Sequence, residues 1–341
     1  MMITRRKFFK NSALAGAAIG LQPFPLHVFS NKADDIIRIG IIGLDTSHAP
    51  AFTEFFNSEK PDRAVSGFKV IAAYPKGSED IPSSVETIPE YTKQVQQMGV
   101  EIVDSVRKLL KKVDAVLLET NDGRPHLEQA REVIRTGKPL FIDKPLTASL
   151  TEAVTIYKEA REKNAPVFSA SSLRYLKNAQ LVRYENKIGK VLGADTFSPA
   201  SLEPHHPDFF WYGIHGVEIL YTVMGTGCDT VTRFSTQDTD YAVGKWKDGR
   251  IGTFRGTRTG THDYGGIAFG TDANLTLGPF DGYDAMLIKI AEFFKTGVTP
   301  VEPAETLEIY GFMEAADESR RKGGIPVSVD EIMKKAGYMV Q

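Results

Sequence analysis

The run Ile36-Ile37-Arg38-Ile39-Gly40-Ile41-Ile42-Gly43 constrains this chain more than any other stretch. It is almost continuously apolar, lacks the alternation of a half-solvated strand and stops on glycine. That pattern predicts a strand buried on both faces of a parallel sheet. A sheet of that kind needs helices on both sides, and the following sequence supplies them. A helix is expected at about 50–56, with Phe52, Phe55 and Phe56 inward, and a strand at 68–74. A short helix at 103–110 leads to a strand at 113–118. Pro125 suits a helix start and Gly137 a helix stop. A strand at 140–142, a helix at 151–163 and a strand at 167–170 complete the alternation. The expected fold class is α/β, beginning with a doubly wound parallel sheet.

After about Ala170 the pattern changes. Helices are expected near 181–187 and 213–224, flanking glycine-rich alternating segments. Residues 242–246 and 251–255 bracket Asp248-Gly249, a hairpin turn signal. Runs at 266–270 and 273–277 extend this into a mostly antiparallel open sheet, and a last helix at 304–321 ends at Gly323-Gly324. The second half therefore reads as an α+β domain. The expected division is a leader over 1–30, a nucleotide-binding-type domain over 31–150 and a substrate domain over 151–341.

The leader combines Arg5-Arg6, Phe8, Phe9 and Lys10 with a soft apolar run from Ala13 to Leu21. It resembles a bacterial twin-arginine export signal, which implies a folded passenger and a periplasmic location. The apolar run is too short for a permanent membrane span. With the leader's four basic residues removed, the formal charge of −2 becomes −6. A mildly acidic chain without a basic stripe argues against nucleic acid as partner. Cys228 is the only cysteine, so neither a disulfide framework nor a cysteine-rich metal site is expected.

Four local strings carry a family resemblance. They are Ile39-Gly40-Ile41-Ile42-Gly43; Thr120-Asn121 followed by His126; Asp143-Lys144-Pro145; and Gly213-Ile214-His215-Gly216-Val217-Glu218. In this order and spacing they are similar to those of the glucose–fructose oxidoreductase, inositol dehydrogenase and rhizopine-catabolism family (Gfo/Idh/MocA). The resemblance implies an N-terminal Rossmann domain, a C-terminal open-sheet domain and a cofactor, NAD or NADP. It also implies oxidation or reduction of a sugar or polyol carbon. By position it makes Lys144 and His215 the catalytic pair. Lys144 would position the substrate hydroxyl, and His215 would take its proton. A homo-dimer or tetramer formed through the exposed face of the second sheet is implied as well, with Val243, Trp246, Ile251 and Phe254 compatible with it.

Two departures from the family pattern stand out. Where further glycines are expected after Gly43, the chain has Asp45 and His48. A carboxylate about 4 Å from a phosphate would cost about 4 kcal/mol at an effective dielectric near 20. Asp45 is therefore expected to turn inward and cap the next helix, leaving Thr46, Ser47 and His48 to meet phosphate at the helix start. The second departure is Trp211, which stands where many family members have an aspartate four residues before the histidine. At the end of the second strand, Lys76 and Ser78 replace the acid expected for NAD, a hint of a 2′-phosphate and NADP.

The cofactor set expected from these readings is Gly43, Asp45, Thr46, Ser47, His48, Lys76, Thr120, Asn121, Asp143 and Lys144. The substrate set is Arg174, His206, Trp211, Tyr212 and His215, with His262 and Asp263 as further cleft candidates. His205 and His206 are adjacent and cannot easily converge on one ion, so no metal site is expected. The leading functional reading is an exported NAD(P)-dependent oxidoreductase acting on a sugar, polyol or glycoside hydroxyl with its cofactor retained. Two alternatives stay open: a redox-neutral, cofactor-dependent glycosidase, and a non-enzymatic carbohydrate-binding protein on a degenerate scaffold.

Overall fold

The computed structural model describes residues 36–338; the twin-arginine segment lies outside them. The strands are β1 (Ile37–Ile42), β2 (Phe68–Tyr74), β3 (Glu101–Ile102), β4 (Ala115–Leu118), β5 (Leu140–Ile142) and β6 (Val167–Ser169) in the first half. The second half holds β7 (Val191–Pro199), β8 (Cys228–Ser235), β9 (Thr239–Trp246), β10 (Ile251–Thr257), β11 (Gly265–Gly270), β12 (Asn274–Leu277) and β13 (Val327–Ser328). Among them run α1 (His48–Asn57), α2 (Pro82–Val85), α3 (Ile88–Gln97), α4 (Val106–Leu110), α5 (His126–Ile134), α6 (Leu150–Glu162) and α7 (Lys177–Glu185). The remaining helices are α8 (Ile214–Met224), α9 (Asp284–Thr296), α10 (Pro303–Arg321) and α11 (Val329–Lys335).

The first sheet has the order β3-β2-β1-β4-β5-β6 and is parallel throughout. That is the doubly wound order, whose crevice opens between β1 and β4. The second sheet has the order β12-β11-β7-β10-β9-β8-β13 and is antiparallel except for the β7–β10 pair. Both halves of the expected fold are therefore present. The boundary at 150 falls too early, because α6 and β6 complete another crossover unit and place the end of the first sheet at Ser169.

Packing ties the halves together. One apolar cluster runs from Val116, Leu118, Leu140 and Ile142 on one face of the first sheet into the second half through Ile214, Val217 and Phe312. The opposite face, with Ile39, Leu117, Phe141 and Phe168, is covered by α1 and by α9. Phe293 of α9 meets Phe168 edge to face at 4.7 Å. In the second sheet Trp246 and Phe254 point into the core, fully buried. The exposed face is carried instead by Phe197, Phe234, Ile251 and Ile267, because a strand's side chains alternate and these four share one parity in the register.

Candidate active site

Gly43 closes β1 with a φ of +90°, and a Cβ there would sit 2.5 Å from the Thr120 backbone nitrogen. Only glycine tolerates both the backbone conformation and that approach. The turn brings the loop after β1 against the loop after β4. Asp45 then turns inward, as expected, but it does not cap α1. Its carboxylate accepts from the Ser78 backbone N–H at 2.8 Å, from the Ser78 hydroxyl at 2.7 Å and from the Asn121 N–H at 3.1 Å. One buried carboxylate thus pins together the loops after β1, β2 and β4. The residue at the start of α1 is Ser47, whose side chain makes no capping bond.

This arrangement reassigns part of the expected cofactor set. Ser78 is committed to Asp45, and Lys76 is exposed beside it. The Asn121 side chain donates to Ser84 Oγ at 3.0 Å and so turns toward α2. His126 is fully buried and bridges the Thr120 and Leu146 carbonyls at 2.7 and 3.1 Å. Burial pushes its pKa down, and the ring acts as a brace between two loops.

The residues that remain fit a dinucleotide. With its carboxylate satisfied by three donors, Asp45 is turned away from any phosphate. Among the described residues the N–H groups of Thr46 and Ser47 have no acceptor at the start of the ten-residue α1, the setting that binds anions. Thr120 Oγ1 is buried without a partner beside Gly43. NAD(P) is the cofactor such a crevice takes.

At the carboxyl ends of β4 and β5 the site becomes densely charged. Asp143 follows β5, and its Oδ2 lies 2.6 Å from His48 Nδ1 on α1. The His48 ring stacks on Phe52 at 5.1 Å and meets the edge of Tyr283 at 4.9 Å. Burial works against charge on Asp143, but His48 and then Lys144 hold its carboxyl below the usual range. Glu119, directly after β4, is fully buried, and neither of its oxygens has a partner. Burial, then the charge on Asp143, push it well above the usual carboxylate range, with Lys144 opposing. The sequence reading missed Glu119, although an acid placed directly after a fully apolar strand was a visible signal.

Lys144 is 7% exposed, with Nζ 5.6 Å from the centre of the Tyr212 ring. Tyr212 is in turn 5.9 Å from the His215 ring, and Tyr264 approaches His215 edge-on at 5.5 Å. The expected catalytic pair therefore shares one neighbour, Tyr212. His215 Nδ1 lies 2.7 Å from the hydroxyl of Ser171. Burial, and then Lys144 and His48, push His215 well below its ordinary pKa, so the ring is neutral at pH 7. In the tautomer whose Nδ1–H donates to Ser171, Nε2 carries the lone pair of a base.

The remaining substrate candidates have other duties. Arg174 is buried and bonds Glu218 at 2.5 Å and Glu305 at 2.7 Å. His206 Nε2 accepts from the Gly123 N–H at 3.0 Å, and its ring packs on Trp211 at 4.9 Å. That contact docks the loop of the second half onto the first. Trp211 is itself buried. The four aromatics before α8 separate because a π-type turn, Phe209–Gly213, spreads them around the helix start. Phe209 packs on Phe254, Phe210 on Tyr310, and Tyr212 alone reaches Lys144 and His215. All of α8 is buried, so its polar residues face partners: His215 meets Ser171 and Glu218 meets Arg174. His262 and Asp263 are exposed, and the cleft residue of that stretch is Tyr264.

Comparison with known proteins agrees with this geometry. The family description "Oxidoreductase family, NAD-binding Rossmann fold" (GFO_IDH_MocA) matches residues 37–171. The match covers the parallel-sheet half of the chain, which is similar to the NAD-binding domain of that family. An uncharacterized protein of Saccharomyces cerevisiae is 27% identical over 165 residues; the match spans 46% of this chain and 41% of the yeast protein, less than half its length. A probable dehydrogenase from Thermotoga maritima superposes with a TM-score of 0.71 at 18% identity, covering 87% of this chain and 100% of that one. The scyllo-inositol dehydrogenase of Lactobacillus casei, solved with NAD(H) and scyllo-inositol, gives 0.67 at 18% identity over 86% of this chain and 99% of its own. A myo-inositol dehydrogenase from Corynebacterium glutamicum gives 0.69 at 13% identity over 86% and 98%. At these identities the likeness establishes the fold alone: the described chain shares the two-domain architecture of these dehydrogenases.

Proposed function

We propose that this protein is an NAD(P)-dependent oxidoreductase acting on a hydroxyl of a sugar, polyol or glycoside. The observation that carries the reading is the meeting of Lys144 and His215 at Tyr212, at the carboxyl edge of the first sheet where open α/β sheets bind ligands. The inositol dehydrogenases that share this fold support the substrate class.

Bound nicotinamide supplies the hydride acceptor or donor. The chain's own residues do the rest. Tyr212, Tyr264 and Tyr283 line the site with aromatic faces suited to the C–H surface of a polyol. Lys144 donates to the reacting oxygen and stabilises its developing negative charge. His215 Nε2 accepts the hydroxyl proton, its tautomer held by Ser171. We further propose export by the twin-arginine route to the periplasm, supported by Arg5-Arg6 and the following apolar run. A homo-dimer or tetramer is proposed through the sheet face bearing Phe197 and Ile267.

The test is protein produced with its leader intact, denatured and examined by mass spectrometry, then assayed with a panel of inositols, sugars and glycosides. A released nicotinamide dinucleotide and substrate-dependent reduction of NAD⁺ or NADP⁺ support the reading. An empty protein that reduces neither nucleotide with any polyol overturns it. Release of free sugar from a glycoside with no net nucleotide change would establish the redox-neutral glycosidase instead.

A further inference from the structure

Two buried carboxyl side chains, at the ends of β4 and β5, leave oxygens without a partner among the described residues, and the buried imidazole of His48 at the start of α1 lies beside them. One ring nitrogen of His48, one carboxylate oxygen of Glu119 and one of Asp143 lie within 4.8 Å of one another. Glu119 has no exposed surface and both its oxygens are unpartnered; Asp143 Oδ1 is unpartnered too. A polar group buried without a hydrogen bond costs on the order of 2–7 kcal/mol. Here one carboxyl and half of another are buried this way at a single point, with an imidazole beside them.

We propose that His48, Glu119 and Asp143 form a binding site for one divalent cation of the first transition series. One imidazole and two carboxylates suit Mn²⁺ or Zn²⁺ better than Ca²⁺, which takes oxygen ligands alone. The spacing is close to what an ion needs. Ligand atoms about 2.0–2.2 Å from one tetrahedral ion stand roughly 3.3–3.6 Å apart, so groups lying within 4.8 Å of one another close by no more than about 1.5 Å through side-chain rotation. In the metal-free state the 2.6 Å contact between His48 and Asp143 substitutes for part of that coordination. Loading breaks it: whatever protons the three groups hold leave to solvent, and the freed lone pairs bind the ion. The ion's double positive charge then balances the two carboxylates. Three protein ligands leave at least one position open, as in catalytic rather than structural sites.

The site adjoins the Lys144–His215 pair, since His48 and Lys144 both act on the pKa of His215, so it is tested by binding rather than by turnover. Full-length protein treated with EDTA and desalted is titrated with Mn²⁺, followed by the loss of the free-ion electron paramagnetic resonance signal, and with Zn²⁺ by calorimetry. One ion per chain is expected. Glu119→Gln and Asp143→Asn should each weaken it at least a hundredfold, while His205→Ala, at an exposed histidine, should leave it unchanged. Absence of binding, or binding that survives both carboxylate changes, overturns the proposal. Should either variant fail to fold, X-ray absorption of Zn²⁺-loaded native protein decides independently. One imidazole with oxygen neighbours supports the site, and two imidazoles or sulfur exclude it.

Discussion

Ser171 Oγ and His215 Nδ1 lie 2.7 Å apart, joining the segment after the last strand of the first sheet to the buried helix of the second half. The serine also accepts from the Leu173 N–H at 3.1 Å, so its position is fixed from both sides. Removing the hydroxyl in Ser171→Ala frees the imidazole to adopt either tautomer. The turnover number should fall on the order of tenfold with little change in KM, a fraction of the worth of a positioned base. Steady-state kinetics check this; a change confined to KM would place Ser171 in binding instead.

Direct removal of the pair should be more severe. His215→Asn should lower kcat by about 10² to 10⁴. Lys144→Ala should abolish measurable turnover and also lower the thermal midpoint, because Lys144 is buried and its charge favours the ionised forms of Asp143 and Glu119. Activity assays paired with melting curves separate these outcomes from unfolding.

The pH dependence follows from the environment of His215. Burial, Lys144 and His48 place its pKa well below 6.5, and the neutral ring is the working form in the oxidative direction. The acid limb of kcat/KM should therefore fall well below pH 6.5. Stability carries the same sign. The unfolded chain binds this proton more tightly, so the contribution is complete above 6.5 and is lost as pH drops toward the folded value. His215→Gln should flatten that part of a stability profile measured by urea unfolding between pH 4 and 7.

Asp45 separates two physical pictures. If its carboxylate repelled phosphate, Asp45→Gly would tighten dinucleotide binding about a thousandfold. Because it instead holds Ser78 and Asn121, the substitution should loosen three loops. It should weaken binding and cost on the order of 2 kcal/mol of stability. Calorimetric titration with NADH and NADPH gives the sign directly.

Arg174→Ala should destabilise by about 3–5 kcal/mol, because Glu218 would be left buried without a guanidinium, while Glu305 keeps Arg183. Urea unfolding measures it. Unchanged stability with a raised KM would return Arg174 to the substrate.

The sequence disclosed those parts of the fold that local periodicity controls. The apolar run into Gly43, the strands near 68–74 and 140–142, and the hairpin at Asp248-Gly249 fall close to where their patterns place them. Lys144, Tyr212 and His215 were legible through motif order. What was not legible depends on partners far along the chain. Arg174 looks free until Glu218 and Glu305 fold against it, and Asp45 looks hostile to phosphate until Ser78 reaches it. Glu119 shows only as an acid after a strand, and its meeting with His48 and Asp143 is set by sheet order. Helix α9 did carry a signal, in Met286, Leu287, Ile290, Phe293 and Phe294, but the reading stopped at the sheet beside it.

That helix has a consequence for how the protein is made. Strands β1 to β6 have all left the ribosome by residue 169, yet the aromatic flank formed by Phe141 and Phe168 has no cover until Phe293 and Phe294 emerge more than a hundred residues later. At a synthesis rate of about 5–20 residues per second, that is several seconds or more with a greasy surface open to the cytosol. The first half is thus the earlier part to be synthesised but not the earlier part to be finished. A fragment ending after β6 should need a chaperone for as long as it exists.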